Sequence, residues 1–350
     1  MRSFRGKTSG SVSGTAADAC AGADSCANPR AGLRAARFAL PFLLAGAVAI
    51  GFAPIFVRLS ELGPTATAFH RLFLALPVLW LWNGLSARSG GAAERPTSRS
   101  DYAGLAAAGV FFAGDLACWH WSINFTSVAN ATLLANFAPV FVALAGFAFF
   151  GERFSRMFII GMATALAGAC VLMGRSFTLS PINLLGDALG LVTAAFYAGY
   201  IVSVGRLRAK FSTATIMAWS GLVTCLTLFP VALGSGEDLV PMTFSGWAVL
   251  IGLALLSHVG GQSLIAYALA HLSAAFSSVS LLLQPAVAAV LAWVILGEAL
   301  GSYQGLGALM ILVGIYFAHR GSRADRKGVS GLEASASRAP ADHISKGSLG

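Results

Sequence analysis

The chain has 350 residues, 57% of them apolar and only 11% charged, where an ordinary soluble domain carries roughly a quarter. So few charges cannot cover a soluble protein of this length, and at about 20 apolar residues per bilayer crossing the composition supplies roughly ten spans. A soluble enzyme, a nucleic-acid reader and a disordered scaffold are excluded; the net charge of +9 sits in tails and alternate short loops, where orientation signals belong.

In chain order, residues 1–37 are rich in Ser, Gly, Ala and Arg without periodicity and are expected to form a disordered cytoplasmic tail. No small-residue cleavage site follows the first apolar run, so it reads as a retained helix and not a signal peptide. Candidate helices follow at Phe38–Val57, Thr65–Trp82, Tyr102–Ile123, Ala129–Phe150 and Met157–Gly174, then at Leu184–Val204, Thr213–Leu233, Trp247–Leu269, Ala274–Leu296 and Tyr303–Ala318. Residues 320–350 return to a small, polar and basic composition and are expected to be a flexible tail. The expected fold class is all-α: a polytopic membrane protein of ten transmembrane helices.

Ten crossings put both termini on one side, and the bases say which. With the N-terminus inside, 20 of the 23 basic residues are cytoplasmic, only Arg58 and Arg175 are external, and Arg71 lies within a helix. Positive charge marks the cytoplasmic face, so both termini are expected in the cytoplasm and the protein in the cytoplasmic (inner) membrane.

Sliding the sequence on itself by 146 residues pairs Ser127 with Ser273, Pro139 with Pro285 and Gly151–Glu152 with Gly297–Glu298. The same offset pairs Gly161 with Gly307 and Gly168 with Gly314. The repeat unit therefore holds five helices, an odd number, and the second copy must cross the membrane upside down. Two inverted five-helix repeats around a midplane cavity are the architecture of secondary transporters.

The stretch Ser127-Val-Ala-Asn-Ala-Thr-Leu-Leu-Ala-Asn-Phe-Ala-Pro-Val-Phe, running on to Phe-Gly-Glu-Arg, resembles the EamA repeat of the drug/metabolite transporter superfamily. So does Gln284-Pro-Ala-Val through Leu-Gly-Glu, followed by Gln304-Gly-x-Gly and Gly314. The likeness covers a first repeat over 38–175 and a second over 183–319. It implies that helices one to four and six to nine surround a central cavity, with five and ten peripheral. It also implies movement of small metabolites, amino acids among them, often outward.

Ionisable and polar groups inside the membrane are the site candidates. Arg71 and Asp115 lie at matching depths, about 9 and 12 Å from the external helix ends at 1.5 Å per residue. They are either a permanent ion pair or charges released to meet a substrate or proton. Phe111, Phe112, Asp115, Trp119 and Ser122 share one face of helix three, an acid among aromatics that suits a small amphipathic ligand. His120 and Trp121 read as interfacial anchors. His258 and Gln262, four apart on helix eight, look into a cavity or a partner helix; the histidine is a hydrogen-bonder or a proton coupler.

Ser277, Ser280 and Gln284 form one stripe on helix nine, and Thr132 and Asn136 another on helix four. Each stripe ends at a repeat-paired proline, Pro285 or Pro139, which deprives the carbonyl four residues back of its donor. Kinks lining a substrate path and tight packing through small residues both fit. Gly190, Thr193, Tyr197 and Tyr200 share a face of helix six, as cavity wall or packing seam, and Asp187 reads as a surface acid. Glu152 and Glu298 fall on opposite membrane faces and read as structural acids after helix-ending glycines.

No H-E-x-x-H, G-x-S-x-G or phosphate-loop motif is present in the sequence. The expected function is a secondary transporter of small polar or amphipathic metabolites, amino acids or their derivatives first, by export; a passive channel and a membrane-embedded enzyme remain as alternatives. No cofactor and no metal are implied. The expected partners are a small-molecule substrate, the lipid bilayer and protons as coupling ion, with a homodimer allowed and no nucleic acid.

Overall fold

In a computed structural model, residues 29–88, 95–126, 128–173, 183–297 and 301–336 are described. They hold ten helices long and apolar enough to cross a membrane. Spans 1 to 5 are Arg37–Leu59, Pro64–Arg88, Arg99–Ile123, Asn130–Phe150 and Arg156–Met173. Spans 6 to 10 are Leu184–Leu207, Thr213–Gly234, Phe244–Ala268, Ala274–Leu296 and Ser302–Arg323. Ten consecutive crossings bring both ends of the described chain to one face, here the terminal face, opposite the far face. The two expected tails need correction: the first helix begins at Pro29 and the last runs on to Ala336. Over residues 29–37 the Ala- and Arg-rich sequence propagates a nucleated helix cheaply, whatever its polarity.

Caps and breaks come from recognisable residues. Ser98 and Asp101 form a capping box at the start of span 3, and Ser212, Thr243 and Ser273 cap spans 7, 8 and 9. Gly151 and Gly297, equivalent in the two repeats, end spans 4 and 9 in the left-handed region at φ 63° and 70°, a conformation glycine adopts without a Cβ clash. Spans 1, 2, 4 and 9 leave the helix at Phe52, Leu74–Ala75, Asn136–Phe137 and Leu281–Leu282. A proline follows each break two or three residues on: Pro54, Pro77, Pro139 and Pro285. Proline cannot donate to the carbonyl four residues back, and the chain tightens to three-residue bonds. One of these runs from Gln284 N–H to the Leu281 carbonyl at 2.9 Å, so that carbonyl is not left bare. Pro41 and Pro230, by contrast, sit inside helices that run on.

The contacts between spans turn into one another when the halves are exchanged. Span 3 packs on span 6 as span 8 packs on span 1; span 4 packs on 6 as 9 on 1; span 7 packs on 3 as 2 on 8. Spans 2 and 7, 4 and 9, and 5 and 10 face each other. That is the signature of a two-fold axis, and five spans per half set it parallel to the membrane plane. The seam of spans 5 and 10 shows it in single atoms. A Cβ on Gly168 would stand 2.7 Å from the Gly307 carbonyl oxygen, and one on Gly314 would stand 2.6 Å from that of Gly161. At the 146-residue offset these two contacts are the same contact.

The halves are also fastened at both faces. At the terminal face Lys210 Nζ meets Asp101 Oδ1 at 2.8 Å. At the far face two loops exchange carboxylates across helix N-termini. Glu237, after span 7, accepts from the backbone N–H groups of Thr65 and Ala66 at 3.3 and 2.8 Å at the start of span 2. Glu61, after span 1, accepts from Met242 and Thr243 N–H at 2.9 and 3.2 Å and from the Thr243 hydroxyl at the start of span 8. Helix N-termini favour negative charge.

The Thr243 hydroxyl, helped by the two N–H groups and opposed by partial desolvation, holds the Glu61 carboxyl below its ordinary value. A carboxyl depressed in the folded state stabilises above its ordinary value, and that stability is lost as the pH falls through the folded value. The thermal midpoint in detergent is therefore expected to fall on acidification below about pH 4, with part of that fall absent in Glu61→Gln. Identical pH dependence in the two proteins would rule the clasp out as its source.

Candidate functional site

A cavity of about 610 Å³ lies inside the bundle, walled mainly by spans 1 to 4, 6, 8 and 9. Arg58, Ile123, Met173 and Gln304, at the far ends of their spans, line its mouth, and the lining residue nearest the terminal face, Ser278, is a full turn in. Nine of the eleven candidate residues line it: Arg71, Asp115, Trp119, Asn136, Pro139, Tyr197, Gln262, Gln284 and Pro285. The breaks in spans 4 and 9 thus open onto the cavity, and the break in span 1 brings Pro54 to it as well.

The other two candidates do not reach the wall. Ser280 is fully buried and its hydroxyl donates to the Phe276 carbonyl at 3.0 Å. The turn at Leu281–Leu282 rotates the helix after Ser280, so Ser280 and Gln284 do not share the stripe that an unbroken helix would give them; Ser278 faces the cavity instead. His258 lies behind the wall, its ring stacked on Phe112 at 5.6 Å and 24°. Of its two expected outlooks, the partner helix is the one observed. Phe112 and His258 occupy the same position in the two repeats, so the stack sits where the two-fold axis passes. Both His258 nitrogens are buried without a hydrogen-bond partner.

Arg71 and Asp115 share the cavity wall, and each lies within the other's electrostatic reach. No ion-pair contact within 4.0 Å joins them. The guanidinium carbon of Arg71 stands 5.9 Å from the centroid of the Phe112 ring, and its Nε has no partner. Cations over an aromatic face are attracted by its quadrupole, and this contact positions Arg71 without neutralising it. Asn136 Nδ2 is likewise buried without a partner, and Gln262 Nε2 and Gln284 Nε2 have none within 3.5 Å, although each amide lies beside a tyrosine hydroxyl, that of Tyr200 and of Tyr197. Buried polar groups are normally satisfied, so a cavity wall with this many open donors is built to meet something polar. Tyr197 stacks on Tyr200 at 6.2 Å and Trp119 meets His120 edge-on at 5.0 Å, which makes the polar groups islands in aromatic walls.

Several features lay outside the sequence reading. Residues Leu253–Gln262 of span 8 are wound as a π-helix, a form enriched at functional sites. Within it Gly261 fits against Gly46 of span 1. His120 is buried in the cavity wall, whereas Trp121 is exposed on the outer surface. Asp187 is no free surface acid: it accepts from Thr126 Oγ1 at 2.8 Å and Asn130 Nδ2 at 3.2 Å, tying span 6 to the start of span 4. Glu152 is half-buried after Gly151, with its N–H donated to the Gly146 carbonyl and its carboxyl pushed up by burial. Glu298, Arg175, Cys20 and Cys26 lie outside the described residues.

The family model described as the EamA-like transporter family matches residues 37–174 and again 184–320. The chain is 27% identical to the pseudopaline exporter CntI of Pseudomonas aeruginosa, over 77% of this chain and 93% of that protein. It is 32% identical to a probable terminal-alkyne amino-acid exporter of Streptantibioticus cattleyicolor, over 60% of this chain and 70% of that one. A solved crystal structure matches with a TM-score of 0.70 at 18% identity, covering 82% of this chain and 98% of its own, which is a likeness of fold.

Proposed function

Because this chain belongs to the EamA-like transporter family, we propose that it exports small amphipathic metabolites, amino acids or their derivatives first among them, across the cytoplasmic membrane by alternating access. The observation that carries this reading is one aromatic-walled cavity in which Arg71 and Asp115 stand apart and unpaired. A zwitterion supplies a carboxylate for the first and an ammonium for the second, relieving both charges at once. Neither a purely apolar ligand nor a bare ion would do so. The names of the two relatives, both called exporters and one of them a probable amino-acid exporter, support this direction and class.

The bases, most of which fall at the terminal face, support an orientation with that face in the cytoplasm. With that face in the cytoplasm, the cavity is open to the outside, as in a carrier that has released its cargo.

The test is counterflow in proteoliposomes preloaded with a mixed amino-acid pool, with and without a pH gradient. Saturable exchange of labelled amino acids is expected, and a gradient that raises uptake above equilibrium identifies protons as the coupling ion. Flux that never saturates points to a channel instead. Absence of any exchange, beside a working control carrier, would overturn the reading.

A further inference from the structure

A second, smaller cavity of about 200 Å³ lies at the terminal face, where the inner ends of spans 4, 6, 8 and 9 converge. Six of its ten lining residues are, by the repeat, counterparts of residues that line the large cavity. At the 146-residue offset Val142, Gly146 and Leu269 are the counterparts of Ala288, Ala292 and Ile123, all three of which line the large cavity. Spans 1–2 match spans 6–7 at an offset of 148, which sets Gly51 on Gly199, Arg58-Leu59 on Arg206-Leu207 and Thr65-Ala66-Thr67 on Thr213-Ala214-Thr215. By that offset Val202, Gly205 and Arg206 are the counterparts of Pro54, Val57 and Arg58, again lining residues of the large cavity.

We propose that this small cavity is the closed second mouth of the transport path, and that Arg206 there and its counterpart Arg58 at the far mouth each receive an anionic group of the substrate as it passes. The inference rests on the carrier reading for its purpose and on the two-fold axis for its geometry. A carrier with inverted halves reaches its opposite state by letting the halves exchange conformations. The residues that line the open mouth in one half then become the closed ones, and their counterparts open. Phe112, which lines the open cavity, and His258, stacked behind it, exchange places in the same way. The small cavity also holds the Glu152 carboxylate in its wall, and Arg206 is the cation there: it is exposed, with its guanidinium resting 4.2 Å over the Phe150 ring at the cavity edge. A guanidinium so held keeps its charge and offers a planar fork to a carboxylate.

The test uses the full chain in oriented vesicles, with Cys118, Cys170 and Cys225 and the two N-terminal cysteines replaced. Leu269→Cys and Ile123→Cys are probed from each side with an anionic thiosulfonate reagent and with its trimethylammonium counterpart, neither of which crosses the bilayer. Ile123→Cys is expected to react from the far face and Leu269→Cys from the terminal face. Wedging the far mouth open with a bulky polymer maleimide on Ile123→Cys is expected to slow the reaction at Leu269→Cys by about tenfold, because the two openings exclude each other. Arg206→Gln is expected to lower the anionic-to-cationic rate ratio at Leu269→Cys about threefold and to leave the ratio at Ile123→Cys unchanged, with Arg58→Gln doing the reverse. Val142→Cys replaces Leu269→Cys if that variant does not elute as the wild type does.

Labelling from the terminal face that ignores the wedge, or no labelling there in any state, would overturn the second mouth. A charge ratio indifferent to Arg206→Gln would overturn the role of the arginine. Counterflow that fails while the wedge still protects Leu269→Cys counts against the proposed substrates alone. Working counterflow with no protection counts against this inference alone.

Discussion

Asp115→Asn is expected to lower amino-acid exchange by at least about a hundredfold. Truncating the protein's partner in a buried charge pair with a ligand costs about 3 kcal/mol of binding, and every 1.4 kcal/mol is a factor of ten. Asp115 is the acid that faces Arg71 across the cavity wall, and the two do not touch. If they formed a closed ion pair, the mutation would cost stability first and transport second. Standing apart, they share the work through the ligand, so the loss falls on substrates that carry an ammonium. A 2-hydroxy acid, which keeps the carboxylate and lacks the ammonium, should exchange poorly with the wild type and change little with the variant. The double variant Arg71→Gln/Asp115→Asn removes both charges, leaves no uncompensated ion and serves as the folding control. Asp115→Asn that exchanges amino acids at the wild-type rate would return the pair to a structural role.

The parts of this molecule that were legible in sequence are those written in composition and repetition. Long apolar runs marked ten crossings, and the doubled Pro139/Pro285, Gly151/Gly297 and Gly168/Gly314 pattern marked two copies of one five-helix unit. Helical spacing brought nine of the eleven candidate residues to one cavity, because a side chain's face is fixed wherever the helix runs without a break. Ser280 went astray where it does break: the turn at Leu281–Leu282 changes the phase, and no local residue sets its size. The π-winding of Leu253–Gln262 leaves no mark in periodicity, since residues four apart stay close to one face in either form. Proline breaks in spans 1 and 2 were signalled by Pro54 and Pro77, in the same way as those in spans 4 and 9. The crossed carboxylates of Glu61 and Glu237 join loops more than 170 residues apart, and only the fold brings such partners together.

Gly168→Leu is expected to leave little folded protein, and Gly314→Leu to match it. Between helices in lipid there is no hydrophobic drive, and association rests on close packing through small residues. On the seam of spans 5 and 10 the glycines let the backbones approach until a Cβ has no room. Built on Gly168, it would lie 2.7 Å from the Gly307 oxygen and 2.8 Å from the Ile311 nitrogen; on Gly314, 2.5 Å from the Ala165 nitrogen. These are backbone atoms and cannot rotate aside as a side-chain tip would. A leucine must therefore push the two helices apart along their length, at about 3 kcal/mol or more where ordinary overpacking costs 1–3. The two-fold axis makes the sites equivalent, so the two variants should fall together, and a large difference between them would count against the symmetry. Gly84→Leu, with no atom within 4 Å of the added Cβ, is the control and should melt as the wild type does. The seam reaches the cavity only through rim residues such as Leu172, Met173 and Gln304. Surviving Gly168→Leu protein should thus keep its substrate preference while losing thermal stability. A change of preference at unaltered stability would mean that spans 5 and 10 take part in recognition and do more than brace the bundle.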